Sequence, residues 1–172
     1  MFASTLLRSS VTPRVLALST STMSFYALSA IRSDGTLQPM EEYRGKVVYA
    51  TNVASFWGLT RREYDQFERL GARWGDRLEI LAFPSKEWGN QEYDTDAEIQ
   101  KFAAKNNFPG TLMKLGKVLG EDAPEVWKFF KQQTGAPDPV WNFKGKFLVS
   151  KTGKVSVPQG DVEAAIEALM KE

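Results

Sequence analysis

An apolar, β-branched run, Lys46-Val47-Val48-Tyr49-Ala50-Thr51-Asn52-Val53, passes through Ala54-Ser55-Phe56-Trp57-Gly58-Leu59 into a helix-start signal at Thr60. Apolar character without alternation marks a strand covered on both faces, and so a central place in a sheet. Thr60 with Glu63 three residues on reads as a capping box, with Thr60 as N-cap. The segment predicts a strand–loop–helix junction with Trp57 at its tip. Amides at a helix N-terminus lack intrahelical acceptors, and the helix dipole is positive there. Such a tip suits a nucleophile whose anion needs stabilising. The residue at the tip is an indole, which is neither nucleophile nor acid.

The totals narrow the chemistry further. A chain of 172 residues is long enough for one domain with a sizeable core. Its formal net charge of +1 gives no electrostatic preference for nucleic acid. No apolar run approaches the ~18 residues of an integral membrane segment. The sequence contains no cysteine and no histidine. Disulfides, a thiol nucleophile, a Cys/His zinc site and a Ser-His triad are therefore excluded for the chain as written, and no metal site is expected. General acid–base work falls to Asp, Glu, Lys or Tyr.

Residues 1–22 differ from the rest. They carry Arg8 and Arg14, no acid, many Ser and Thr, and Phe2, Leu6, Leu7, Val11 and Val15 near one helical face. This is the composition of an organelle transit peptide, mitochondrial or plastid, with a disordered extension as the alternative. Met23 is placed to act as a second start, which would give a cytoplasmic form.

Residues 23–172 read as one domain. Phe25 to Ala30 and a segment near Leu37 are expected as short strands around a turn at Ser33-Asp34-Gly35-Thr36. After the central strand, the helix from Thr60 places Tyr64, Phe67, Leu70 and Trp74 near one face. Arg77 to Phe83 is the next strand, ended by Pro84, and a polar loop runs from Ser85 to Glu92. Thr95 with Glu98 forms a second capping box, opening a helix to about Ala104. Leu112 to Leu119 carries little pattern and reads as a connection. A helix from Ala123 to Gln133, entered at Pro124 and stopped by Gly135, turns Val126, Phe129 and Phe130 inward. Lys146–Ser150 and Lys154–Val157 pair across Thr152-Gly153 as a hairpin. A last helix, Val162 to Met170, is expected to bury Ala165, Ile166 and Leu169. The order β-β-β-α-β-α-α-β-β-α predicts an α/β fold, a mixed central sheet with helices on both faces.

Three separated stretches lie beside strand ends, where open α/β sheets form their sites. They are Asn52-Val53-Ala54-Ser55-Phe56-Trp57-Gly58-Leu59-Thr60, Phe83-Pro84-Ser85-Lys86-Glu87-Trp88-Gly89-Asn90-Gln91-Glu92, and Trp141-Asn142-Phe143 ahead of Lys146-Phe147-Leu148-Val149. Together they resemble the three ordered motifs of the glutathione peroxidases, and Ser24–Ala30 is similar to that family's first strand. The resemblance runs from about Met23 to the C-terminus. It implies a thioredoxin-like fold and a glutathione-peroxidase-like domain over residues 23–172.

It also implies thiol-dependent reduction of hydrogen peroxide and of organic or lipid hydroperoxides, part of oxidative-stress defence. In that chemistry a selenolate or thiolate at position 57 attacks the peroxide, and thiols restore it in two steps. Gln91, Trp141 and Asn142 match the family's polar partners, whose N–H donors would stabilise the anion and the leaving oxygen. No bound cofactor is implied, only glutathione or another thiol as co-substrate. The short stretch between Gly110 and Trp141 resembles the monomeric, phospholipid-hydroperoxide type. Ser85 stands where the family usually has Cys, and Lys86 and Glu87 replace Asn and Gln. With no cysteine available to resolve an oxidised intermediate, an external thiol would have to do so.

Trp57 occupies the place of the catalytic selenocysteine or cysteine, and three readings of it compete. It is a packing residue on an inactive homologue that binds or supports. It stands for selenocysteine, whose UGA codon has been written as tryptophan. Or it is a sequence error or a deliberate substitution. Retention of Gln91, Trp141 and Asn142 together favours the second. Arg61, Arg62 and Lys86 are weaker candidates, as cations for the carboxylates of glutathione or for lipid phosphates. A solvated surface also accounts for all three.

Overall fold

Strand β3, Val47–Val53, is buried at every position and forms the middle of a sheet whose order is β5-β4-β3-β6-β7. It was traced in a computed structural model that describes residues 23–172; the expected transit peptide, residues 1–22, lies outside the described residues. β4, Leu78–Pro84, runs parallel to β3, pairing Val47 with Leu78 through Val53 with Pro84. β6, Lys146–Val149, runs antiparallel on the other side, with Thr51 opposite Lys146. The edges are β5, Thr111–Leu112, parallel to β4, and β7, Val155–Ser156, antiparallel to β6. A separate antiparallel pair, β1 (Ser29–Ile31) and β2 (Leu37–Pro39), precedes the main sheet.

The pleat of β3 divides the core. Val47, Tyr49 and Val53 face one layer, with Tyr64, Phe67 and Leu70 of α1 (Thr60–Trp74), Ala103 of α2 (Asp96–Lys105) and Ile166 of α4 (Val162–Met170). Val48 and Ala50 face the other, with Val126, Trp127 and Phe130 of α3 (Glu125–Thr134) and with Phe25 and Met40. Helices thus cover both faces, as the continuous apolar run predicts. Full burial of Phe67 or Leu70 is worth about 2 kcal/mol each, so α1 is held mainly by its inward stripe.

Several local expectations are corrected. Phe25–Ala27 is a 3-10 turn, not a strand. The Ser24 hydroxyl accepts the Tyr26 amide at 3.1 Å, and Phe25 and Tyr26 are both buried, a pattern a half-exposed strand would not give. Strand pairing begins only at Ser29. Thr60 does not cap α1; it is the first helical residue, Leu59 holds the cap position, and no side chain caps the helix. The Thr60 hydroxyl is buried and donates instead to the Ala54 carbonyl at 2.7 Å, while Glu63 pairs with Lys146 at 3.1 Å. The stretch read as a connection, Leu112 to Leu119, begins inside β5, whose two residues pair with Leu81 and Ala82, so Leu112 is a strand residue. In α4 the buried positions are Val162, Ile166 and Met170; Ala165 and Leu169 are only partly covered. The Thr95 cap is as expected, its side chain accepting the Glu98 amide at 3.3 Å.

Candidate functional site

The sheet order brings the three motifs to one end. Residue 57 follows the C-terminal end of β3, Gln91 lies in the loop after the parallel neighbour β4, and Trp141 and Asn142 precede the antiparallel neighbour β6. A strand leaving and a strand entering meet at the same edge because β6 runs opposite to β3.

Asn52 anchors this end. Its side chain is fully buried, Nδ2 donates to the Trp141 carbonyl at 3.0 Å, and Oδ1 accepts the Gly145 amide at 2.8 Å. Its carbonyl accepts the Phe143 amide at 2.9 Å. One residue of β3 therefore fixes the whole segment 141–145. Gly145 is required for the close approach: a Cβ there would stand 2.7 Å from the Trp127 and Pro139 side chains. Phe143 sits at φ 59, left-handed backbone that costs a non-glycine residue about 1–2 kcal/mol. Its burial among Trp57, Tyr64 and Phe67, with the Asn52 bond, offsets that cost.

The polar partners converge in pairs. Asn142 Nδ2 donates to Gln91 Oε1 at 2.8 Å, which leaves Gln91 Nε2 as a donor with no partner among the described residues. Asn142 is fully buried, and its Oδ1 has no partner among the described residues. The Gln91 carbonyl accepts the Phe56 amide at 2.9 Å, tying the Gln91 loop to the residue beside position 57. Trp141 is exposed, at 39%, and does not line the groove at residue 57.

Trp57 is half-buried and stacks on Phe143, with centroids 5.6 Å apart and planes inclined by 20°. It lines a surface groove of about 290 Å³ with Ser55, Phe56, Gly58, Thr60, Arg61, Phe102 and Asn106. The start of α1 lies directly beyond; the Thr60 amide is held by the Trp57 carbonyl at 3.0 Å, and the positive end of the helix dipole faces an anion at residue 57. Arg61 borders this groove and also pairs with Asp65 at 2.9 Å. Arg62 does not. It lines a different polar cavity of about 670 Å³ between α1 and the start of α4, with Arg69, Lys146 and Glu163. Lys86 is engaged by Asp94 and does not line the groove at residue 57.

Three residues of the site escape sequence reasoning. Asn52 is one. Glu87 is another: its carboxylate accepts the Val118 amide at 2.7 Å and the Ser85 hydroxyl at 2.9 Å, bracing the loop after β4. Glu92 is the third, buried and bonded to the Ser55 hydroxyl. Little that is local signals these roles, because Trp141, Val118 and Ser55, the partners that define them, lie 89, 31 and 37 positions away. The one available hint is an acid next to Gln91 in an otherwise exposed-looking loop.

The glutathione peroxidase family model matches residues 25–131, more than half of the chain. The chain belongs to the glutathione peroxidase family. A phospholipid hydroperoxide glutathione peroxidase of Sus scrofa is 39% identical over 146 residues, covering 81% of this chain and 74% of that protein. Glutathione peroxidase 2 of Caenorhabditis elegans is 37% identical over 160 residues, covering 84% and 98%. A thiol:disulfide interchange protein of the thioredoxin family from Chlorobium tepidum superposes with a TM-score of 0.60 at 14% identity, over 84% and 90% of the two chains. The fold of this family member is thioredoxin-like, and the family is one of oxidoreductases that act on peroxides. Among the described residues no helix is long and apolar enough to cross a membrane.

Proposed function

We propose that the protein reduces hydrogen peroxide and organic or lipid hydroperoxides with glutathione or a similar thiol, and that residue 57 is natively selenocysteine. The observation that carries this reading is the Asn142–Gln91 hydrogen bond beside the loop that bears residue 57. A pair of amides oriented by one another serves an anion and a leaving oxygen; an indole has no use for it.

The selenolate attacks the terminal peroxide oxygen, the O–O bond breaks, and the alkoxide leaves as alcohol on taking a proton. The resulting selenenic acid is displaced by one thiol with loss of water, giving a selenenyl sulfide. A second thiol attacks its sulfur, releasing disulfide and selenolate. The helix start at Thr60 favours the anion before attack, and free Gln91 N–H groups favour charge on the departing oxygen. Arg61 supplies a cation at the groove for a carboxylate of the thiol. Trp57 itself can take no part in any of these steps.

A second reading has its own support. The Trp57–Phe143 stack shows the fold accommodating an indole at this position, as an inactive, binding homologue would need. Codon 57 separates the two: UGA with a selenocysteine-insertion element in the transcript supports the enzyme, and UGG supports the homologue. The Trp57 form should show no thiol-dependent peroxidase activity.

The protein is further proposed to act as a monomer, and sedimentation at micromolar concentration tests this. Residues 1–22 are proposed to direct it to a mitochondrion or plastid, with a cytoplasmic form starting at Met23. Fusion of residues 1–22 to a fluorescent protein tests that targeting.

A further inference from the structure

Glu92 is an acid placed where an acid is costly. It is only 3% exposed. One carboxylate oxygen accepts the Ser55 hydroxyl and the Tyr93 amide, the latter at 2.9 Å. The other, Oε2, is buried with no partner among the described residues. Burial pushes its pKa up, and the Ser55 hydroxyl, the Tyr93 and Ser55 amides and Lys86 only partly offset that. The ionisable group facing it from α1 is Tyr64, kept neutral by burial and by the Glu92 charge. A buried carboxyl with half its capacity unused is a net cost to the fold, so its place calls for another explanation.

Its neighbours supply one. Ser55 lies two residues before position 57, and Gln91 immediately precedes Glu92. The Phe56 amide reaches the Gln91 carbonyl at 2.9 Å. Two bonds therefore stitch the loop after β3 to the loop after β4: Phe56 to Gln91 through the backbone, and Ser55 to Glu92 through side chains. The backbone bond alone is a single hinge. The second bond removes rotation about it and sets where residue 57 sits relative to the Gln91 amide.

We propose that Glu92 is a positioning residue that, by accepting the Ser55 hydroxyl, holds the loop carrying residue 57 in register with Gln91. Its consequence for peroxide chemistry rests on the function proposed above; the clamp itself does not. Effective reaction needs the reacting atoms placed within a fraction of an ångström, and a loose loop forfeits that.

The clamp is read on the chain as it stands by hydrogen exchange of the Phe56 amide. Glu92→Ala and Ser55→Ala are each expected to speed that exchange about tenfold or more, leaving the Phe143 amide, bonded to Asn52, unchanged. Glu92→Gln keeps one acceptor oxygen and is expected to retain protection. Should Glu92→Ala not fold, Ser55→Ala removes the same bond. Unchanged Phe56 exchange in the folded variants overturns the proposal.

The catalytic consequence is read in the Trp57→Cys chain, as the rate of the introduced thiol with hydrogen peroxide divided by its rate with iodoacetamide, a reagent that needs no Gln91. Glu92→Ala is expected to lower this ratio about tenfold, with Glu92→Gln restoring most of it. An unchanged ratio in a peroxide-reactive Trp57→Cys protein also overturns the proposal. A Trp57→Cys protein no more reactive than free cysteine counts instead against the peroxidase reading, and the exchange experiment then decides the clamp.

Discussion

Asn142 and Gln91, 51 positions apart in the chain, are joined by a hydrogen bond of 2.8 Å that runs from the amide of one to the carbonyl oxygen of the other. Each orients its partner, so neither acts alone. In the Trp57→Cys background, Gln91→Ala and Asn142→Ala are each expected to slow peroxide reduction on the order of a hundredfold, the usual cost of one lost donor at a developing oxyanion. The double variant is expected to lose little more than the worse single one, because the pair works as a unit. Stopped-flow oxidation of the introduced thiol checks this. Fully multiplicative losses would mean two independent donors.

The Thr60 hydroxyl bond to the Ala54 carbonyl makes a different prediction from a capping box. Thr60→Val keeps the shape but leaves a buried carbonyl without its donor, and is expected to cost about 1–3 kcal/mol in chemical denaturation. Glu63→Gln leaves α1 as helical as before by circular dichroism, since Glu63 caps nothing and pairs with Lys146.

Stability should also depend on Glu79. Burial raises its pKa above the ordinary carboxylate value, with only partial relief from Thr111 and Lys46, and its Oε1 has no partner among the described residues. A group whose folded pKa is raised favours folding in its protonated form. Its contribution is therefore fully present below about pH 4.5 and is lost as pH rises through the folded value. Glu79→Gln is expected to raise Tm at about pH 7 and to converge with the parent at about pH 4. A Tm difference independent of pH would contradict this.

What could be read from the sequence follows from how local each signal is. β3 was legible because burial on both faces removes alternation, and all seven of its residues are buried. The Thr95 cap was legible because donor and acceptor sit three residues apart. The same pattern misled at Thr60, where tertiary burial turned the hydroxyl toward Ala54. β5 was missed because two residues carry no period, and its pairing with Leu81 and Ala82 is entirely tertiary. The candidate site was legible as three motifs, through family resemblance. The residues that assemble it were not, since Asn52 reaches a residue 89 positions on and Ser55 one 37 positions on. Arg62 shows the converse: next to Arg61 in sequence, it turns to a different cavity.

The central claim is that residue 57 is selenocysteine in the natural protein. The direct measurement is selenium per chain, by elemental mass spectrometry on protein purified from its source, with an intact mass on the same sample. One selenium atom per chain and a mass that fits selenocysteine at position 57 are expected. A selenium-free protein whose mass fits tryptophan there would contradict it.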